Sequence, residues 1–236
     1  MSFDDLSPAL PDDFGGKVRL FPLPNVVMFP HVILPLHIFE PRYCAMLEES
    51  LSGDRLIAMA LLLPGWENSP EKKPAIAPIA CLGKIISHTR LPDERHNIML
   101  AGLRRCAIKK ELALKKPFRE AKVDLLDDHF PAEGATARAG LQRKLLDAFR
   151  SFVPKTSLAQ EQFEQLLAQQ ISLGMLTDIV AFTINMPLPL KQQLLSEWNV
   201  DRRAALLLES LQKMQNPSGG IVSGADKSFP PEFSPN

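Results

Sequence analysis

Five prolines fall within twenty residues of an otherwise apolar stretch, VRLFPLPNVVMFPHVILPLHIFEPRY: Pro22, Pro24, Pro30, Pro35 and Pro41. Proline has no amide hydrogen to donate, so it breaks a helix interior and removes a bond from a sheet ladder. The stretch is therefore confined to short strands, VRLFPL, NVVMFP and VILPLHI, lying at the edges or bends of a closed sheet. In the third, Val32, Leu34, Leu36 and Ile38 alternate onto one side. Pro41 then suits the first position of a helix, where its missing N–H would be unpaired anyway. Tyr43, Leu47 and Leu51 give that helix an apolar face, and Gly53 is placed to end it.

The same short-run texture continues to about Asp127. RLIAMALLL is an almost unbroken apolar run, as expected of a strand covered on both faces. PGWENSPEKKP reads as a loop. A hairpin runs through GKIISHTRLPDERHNIMLAGL with Asp93 and Glu94 near its tip, and LRRCAIKKELAL and REAKVDLL form a last antiparallel pair. After DDHFPAEGAT the period becomes helical. Leu141, Leu145, Ala148 and Phe152 form one stripe, Phe163, Leu166, Leu167 and Ile171 a second, and Ile179, Val180, Thr183 and Ile184 a third that MPLP stops. LKQQLLSEW makes a short helix. Asn199 or Asp201 can cap the last one, whose stripe is Val200, Ala204, Leu207, Leu208 and Leu211. The expected class is α+β: a curled antiparallel β-domain with one helix over residues 17–128, then a helical bundle over 135–215. Segments 1–16 and 216–236, rich in Pro, Ser, Gly and Asp without a period, are expected to be mobile.

Lys and Arg number 27 and Asp and Glu number 27, so no net field attracts nucleic acid or acidic membranes. The 3 cysteines, Cys44, Cys81 and Cys106, are odd in number with no CxxC pair. They read as reduced thiols and point to the cytoplasm. The acidic, proline-broken start lacks the order of a secretory signal, and no run approaches a membrane span.

The chain holds no GxxxxGK[ST] loop to wrap phosphates, and no GxSxG, HExxH or EF-hand string. His31, His37 and Cys44 can be imagined around a metal. Their wide spacing instead favours a turn histidine at 31 and a backbone-bonded strand histidine at 37; His88, His96 and His129 stand isolated. No catalytic, cofactor or metal residue is assigned. The basic stretch Arg104, Arg105, Lys109, Lys110, Lys115 and Lys116 would suit phosphates if it formed one ridge. Arg104 and Arg105 point to opposite strand faces, however, as do Lys109 and Lys110, and no aromatic residues are interleaved for base stacking. Glu40, Pro41, Arg42 and Tyr43 read as a strand-to-helix joint in which Glu40 accepts N–H groups at the helix start and Arg42 pairs with a carboxylate.

Three separated blocks, in order, carry a resemblance. VRLFPLPNVVMFPHVILPLHIFEPRYCAMLEE resembles the start of the LON substrate-binding domain. GKIISHTRLPDERHNIMLAGLRRCAI is similar to its hairpin and following "GL-R" strand, with Glu94 where the family commonly has glycine. LGMLTDIVAFTINMPLPLKQQLLSEWNVDRRAALLLESL is similar to its helical part, where a Gly-x-Leu-x-Asp helix precedes a Lys-Gln-x-Leu-Leu helix and an Arg-containing one. The likeness runs from about Val18 to Leu211 and is nearest the stand-alone bacterial branch. It implies a PUA-like β-domain followed by a bundle, in a module that recognises unfolded or tagged polypeptides. The expected partners are unfolded or tagged polypeptides or a partner protein, with a protease acting in trans left open, and the protease activity of full Lon proteases is not carried over because no phosphate loop is found. The expected function is non-catalytic protein or peptide binding, with Phe21, Phe29, Phe39 and Trp66 as candidate contacts. The phenylalanines serve only where they escape the core, and Trp66, in a polar loop, is the better exposed candidate. RNA binding, which other PUA-like folds perform, is the alternative and is disfavoured by the balanced charge.

Overall fold

The structure, a computed structural model, describes residues 10, 11, 13–65, 67, 73–113, 115–168 and 171–215. Most of the two terminal segments expected to be mobile lies outside these residues, as does Trp66. The chain forms two compact units: one reaches to Asp127 and includes Pro187–Ser196, and the other comprises Asp128–Met186 and the residues from Glu197.

The first unit is a mixed sheet of six strands among the described residues: β1 (Lys17–Leu23), β2 (Ile33–Ile38), β3 (Leu56–Leu61), β4 (Ile79–Arg90), β5 (His96–Glu111) and β6 (Arg119–Leu126). The strand order is β2-β5-β4-β3-β1-β6, and β5 also pairs with β6. Strand β5 achieves this closure by its length. Its first half lies beside β2 (Ile38↔His96 to Ile33↔Ala101) and its second beside β6 (Arg105↔Leu126 to Glu111↔Ala121). Register shifts at Leu82/Gly83, Ile85/Ser87 and Ile108/Lys110 bend the strands as closure requires. Closing the ring through β5, β4, β3, β1 and β6 leaves β2 outside it, paired to β5 alone.

Few strands enclose little space, and the interior side chains are accordingly small: Ala58, Ala60, Ala80, Cys106 and Ala121 pack with Val18, Leu20, Leu56, Leu82 and Leu103. All of β3 is buried, as its unbroken apolar run requires. One pairing differs from the antiparallel expectation. β1 and β3 are parallel (Arg19↔Ile57 to Leu23↔Leu61), because α1 (Pro41–Ser52) lies in the crossover between them and returns the chain in the same direction. The prolines sit where the ladder can spare a donor. Pro22 lies beyond the β1 residues paired to β6, and Pro35 is on β2.

NVVMFP does not form a strand. It is held against β5 by hydrogen bonds from His31 N–H to the Gly102 carbonyl (3.0 Å) and from Gly102 N–H to the Val32 carbonyl (2.8 Å). A Cβ at Gly102 would stand 2.1 Å from the Phe29 carbonyl oxygen, so this approach requires glycine. At the β4–β5 tip Glu94 has φ +62°, which explains why the resembled family places glycine there.

The helix expected within the bundle, α5 (Leu188–Ser196, numbered after the three helices below), belongs instead to the barrel unit. Arg105, buried at 2% exposure, donates to the Leu195 carbonyl (3.0 Å), and Gln192 donates to the Ile79 carbonyl (2.9 Å). Buried strand polar groups thus find partners on this helix and capture it.

The second unit contains α2 (Arg138–Arg150), α3 (Ser157–Ala168), α4 (Leu173–Thr183) and α6 (Val200–Gln215). Leu145, Phe149, Phe163, Leu176, Val180, Ala204, Leu207 and Leu211 are buried in it. On α2 the buried pair is Leu145 and Phe149, four apart, in place of the expected Ala148 and Phe152, the latter lying past the helix end. Ser172 caps α4 by accepting the Met175 N–H (3.1 Å), and Asn199 caps α6 by accepting the Arg202 N–H (3.1 Å). No helix among the described residues is long and apolar enough to cross a membrane.

Candidate functional site

The expected aromatic contacts separate. Phe21 and Phe29 are 0% exposed and belong to the core, which corrects their candidacy as binding residues. Phe21 lies on β1 under α1, its ring 4.5 Å from that of Tyr43, and Phe29 is pinned beneath β5 as described above. Removing such side chains from water stabilises the fold by about 2 kcal/mol each, so the core claims them. Phe39 alone of the three phenylalanines remains on the surface, at 39% exposure.

Around Phe39 the register assembles more apolar surface. On β2 the even positions Leu34, Leu36 and Ile38 are buried, which turns Ile33, Pro35 and His37 outward. Phe39 continues that parity, its ring 5.9 Å from the imidazole of His37. Across the ladder Met99 is the partner of Pro35, and on the next strand Ser87 is the partner of Met99, with Ile86 at the register shift beside it. Ile33, Ile86 and Met99 are exposed at 44%, 39% and 37%. Six residues at roughly 3.3 Å rise make the strip about 20 Å long, and three strands make it about 10 Å wide. His37 is fixed by a 2.7 Å hydrogen bond between Nδ1 and Asn97 Oδ1, a partner on the neighbouring strand.

Ile33 was legible as the apolar residue left over by the inward alternation of its strand. Met99 and Ile86 were not, since only pairing puts them beside it.

The joint that leads from this strip into α1 serves the fold. The Glu40 carbonyl accepts the Tyr43 and Cys44 N–H groups, both at 2.9 Å, while its carboxylate makes no cap bond and instead accepts from Arg42 Nε (2.8 Å). The expected role of that carboxylate at the helix start is thereby corrected: the guanidinium two residues on competes for it. Arg42 also lies over the Tyr43 ring, 4.4 Å from its centroid. The Tyr43 hydroxyl donates to the Pro22 carbonyl (3.2 Å), and burial pushes its pKa up to about 12.

At the hairpin tip His88 and His96, eight apart in sequence, share a 2.9 Å hydrogen bond across the strands. Burial first, then the neighbouring His88 and Arg90, holds the His96 pKa below its usual value. A cleft of about 240 Å³ lies at Lys17, Arg19, Asp54 and Glu120. Its basic side chains are paired: Arg19 with Glu49 (3.0 Å) and Asp54 (2.7 Å), Lys116 with Glu49 (2.6 Å), and Lys17 with Glu120 (3.1 Å). Burial opposes ionisation of Glu49, but the Lys116 and Arg19 hydrogen bonds outweigh it and hold its pKa below the usual carboxylate range. The basic stretch is similarly divided. Arg105 is buried, Arg104 lies 3.4 Å from Asp127, and Lys109 lies 3.2 Å from Asp124.

Comparison with known proteins follows the geometry. Residues 17–213 match the family described as the ATP-dependent protease La (LON) substrate-binding domain. The Lon protease of Dictyoglomus thermophilum is 26% identical over 233 residues, which is 92% of this chain and 28% of that protein. The Lon protease of Roseiflexus castenholzii is 26% identical over 204 residues, 86% of this chain and 25% of that protein. The chain therefore spans about a quarter of the length of the curated relatives it matches. The N-terminal domain of Mycobacterium avium complex Lon protease superposes with a TM-score of 0.65 at 15% identity, covering 83% of this chain and 98% of that one. A Lon N-terminal domain protein from Xanthomonas campestris does so with a TM-score of 0.57 at 19% identity, covering 82% and 97%. These superpositions place the fold among Lon N-terminal domains.

Proposed function

Because the chain belongs to the LON substrate-binding domain family, we propose that it is a non-catalytic recognition module that binds exposed apolar segments of unfolded or tagged polypeptides. The observation that carries this reading is the apolar strip of Ile33, Pro35, Phe39, Met99 and Ile86, held open on a rigid sheet. A bound segment would gain roughly 25 cal/mol for each Å² of apolar surface withdrawn from water, without a cost for ordering the platform. On this reading the module presents its clients to a protease supplied in trans. The ion pairs of Arg104, Lys109 and Lys116 weigh against RNA as the ligand, since a phosphate contact at any of these three would first have to break one.

The test is fluorescence anisotropy with a permanently unfolded, labelled client such as reduced, carboxymethylated α-lactalbumin. The double variant Ile33→Glu, Met99→Glu is expected to weaken binding at least tenfold while the circular dichroism spectrum and Tm stay unchanged. Equal affinity of the folded variant and the parent would reject this surface. Client cleavage by the purified chain, or ATP turnover, would reject the non-catalytic reading.

A further inference from the structure

The strip runs along an edge of the sheet, and the phase of the ladder fixes what that edge presents. Among the described residues β2 pairs with β5 alone. Gly102 N–H donates to the Val32 carbonyl (2.8 Å), a hydrogen-bonded pair one step before the β2–β5 ladder begins at Ile33↔Ala101. Bonded and non-bonded pairs alternate in an antiparallel ladder, so Leu34 and Leu36 direct their peptide groups at β5 while those of Ile33 and Pro35 point away from it. The other side of β5 gives the same phase. Leu91 N–H donates to the Arg95 carbonyl (2.8 Å), which makes Thr89 and Asn97 the next bonded pair of β4 and β5 and leaves the peptide groups of Ile98 to its β2 partner, Leu36. Pro35 agrees with both, because its missing N–H falls on the side that β5 does not use. We infer that clients bind in extended form, as an antiparallel strand added to β2 at Ile33 and Pro35, with apolar side chains at alternate positions. This rests on the strip being the client surface, as proposed above.

An extended backbone complements this edge. The client residue opposite Ile33 exchanges a pair of hydrogen bonds with its N–H and C=O, and the client residue opposite Pro35 donates to the Pro35 carbonyl. A helical client would hold its N–H groups within its own turns and make none of these bonds. Parity then assigns the side chains. Residues opposite one another in a ladder share a face, so the client residues bonded to Ile33 and Pro35 lay their side chains on the strip, in line with Ile33, Pro35 and Met99. The client residues between them face the other way. A segment that alternates apolar and polar residues therefore fits better than one of the same composition in another order.

Proline also selects the occupant. Pairing the β2 edges of two copies antiparallel brings two donorless prolines into one short ladder, and each leaves a carbonyl of the facing strand without a partner. A client strand brings a donor at every residue other than proline, so the edge favours a client over a second copy of this chain. The same missing N–H limits uncontrolled edge-to-edge growth while Ile33, 44% exposed, stays accessible.

The experiment uses the full chain and a fluorescein-labelled heptapeptide of alternating threonine and valine, read by anisotropy. Its amides are N-methylated in two ways, on the valine nitrogens or on an equal number of threonine nitrogens. With the valines on the strip, their N–H groups face β2, so methylating them is expected to weaken binding at least tenfold, whereas the threonine form binds within about twofold of the parent peptide. Amide exchange supplies a second readout: bound peptide is expected to slow exchange at Ile33 at least tenfold and to leave Leu34 and Leu36, already bonded to β5, unchanged. Equal weakening by the two methylated forms, with Ile33 unprotected, would overturn the added strand; if Ile33→Glu, Met99→Glu still abolishes binding, the client surface stands without it. Should that double variant bind the peptide and the unfolded α-lactalbumin as the parent does, the client surface fails and the inference with it. A chain that is dimeric by light scattering and becomes monomeric on adding the peptide would assign the edge to a second copy, and so overturn the inference.

Discussion

The strip on the barrel unit and the heart of the helical unit invert the usual distribution of residue types. On the strip, Ile33, Ile86 and Met99 face solvent at 37–44% exposure. In the helical unit Arg203 is 0% exposed, with Thr177 and Asp178 buried beside it. Its guanidinium donates to Asp128 through two nitrogens (3.0 and 2.8 Å), to Thr177 Oγ1 (2.8 Å) and to the Glu197 carbonyl (2.8 Å), and Asp178 lies 3.6 Å away. A charge this deep persists because every donor has an acceptor, so its residues serve the fold. The apolar strip contributes nothing comparable to folding, and exposed apolar surface without a structural role is what recognition uses. Family resemblance picks out both regions; only their burial tells them apart.

The comparison can be broken most severely at Arg203. Replacing it with alanine removes the two-nitrogen partner of Asp128 and the cation beside buried Asp178, and is expected to cost about 3–5 kcal/mol in urea unfolding. A loss under 1 kcal/mol would mean that the cluster is hydrated and not the keystone described. Gly174→Ala follows in size. Its Cβ would stand 2.1 Å from Asp128 Oδ2, the oxygen that Arg203 NH2 holds, so a loss of about 1–3 kcal/mol is expected from the displaced carboxylate. An unchanged Tm would show that Asp128 moves freely.

The barrel unit has its own polar dependence in the His88–His96 pair, and it is smaller. Since the His96 pKa is depressed in the folded chain, the unfolded chain binds the proton more readily. The contribution is complete above the ordinary histidine value and is lost as pH falls through the lower folded one. His88, Arg90, Glu48 and Glu94 all act on this imidazole, the two carboxylates partly offsetting the depression. Tm is therefore expected to fall as pH drops below the ordinary histidine value of about 6.5, and His96→Gln to flatten that slope. Identical slopes in the variant and the parent would count against it. The smallest effect belongs to the strip. Ile33→Glu alone should change unfolding free energy by less than about 0.5 kcal/mol, measured by urea titration; a larger loss would make the strip part of the core and remove the contrast.

The α+β class, the positions of the strands other than NVVMFP, which forms none, the tip of the β4–β5 hairpin and the helix opening at Pro41 were legible because period and proline act locally. Ser, Asn and Gly punctuation was equally readable, as at the Asn199 cap. What escaped depends on partners distant in sequence. The parallel β1–β3 pair follows from a crossover, and the assignment of α5 to the barrel unit depends on Arg105 finding the Leu195 carbonyl, 90 residues away. The histidines at 88 and 96 looked isolated because a hairpin, not a helical or strand period, brings them together.

By itself the amino-acid order determined which segments extend, which coil and where each must stop, since backbone donors and side-chain periods act over a few residues. Tertiary structure alone decided which phenylalanines the core would take and which apolar side chains would remain outside. A strand presents two chemically similar faces, and long-range pairing selects the one that is withdrawn from water.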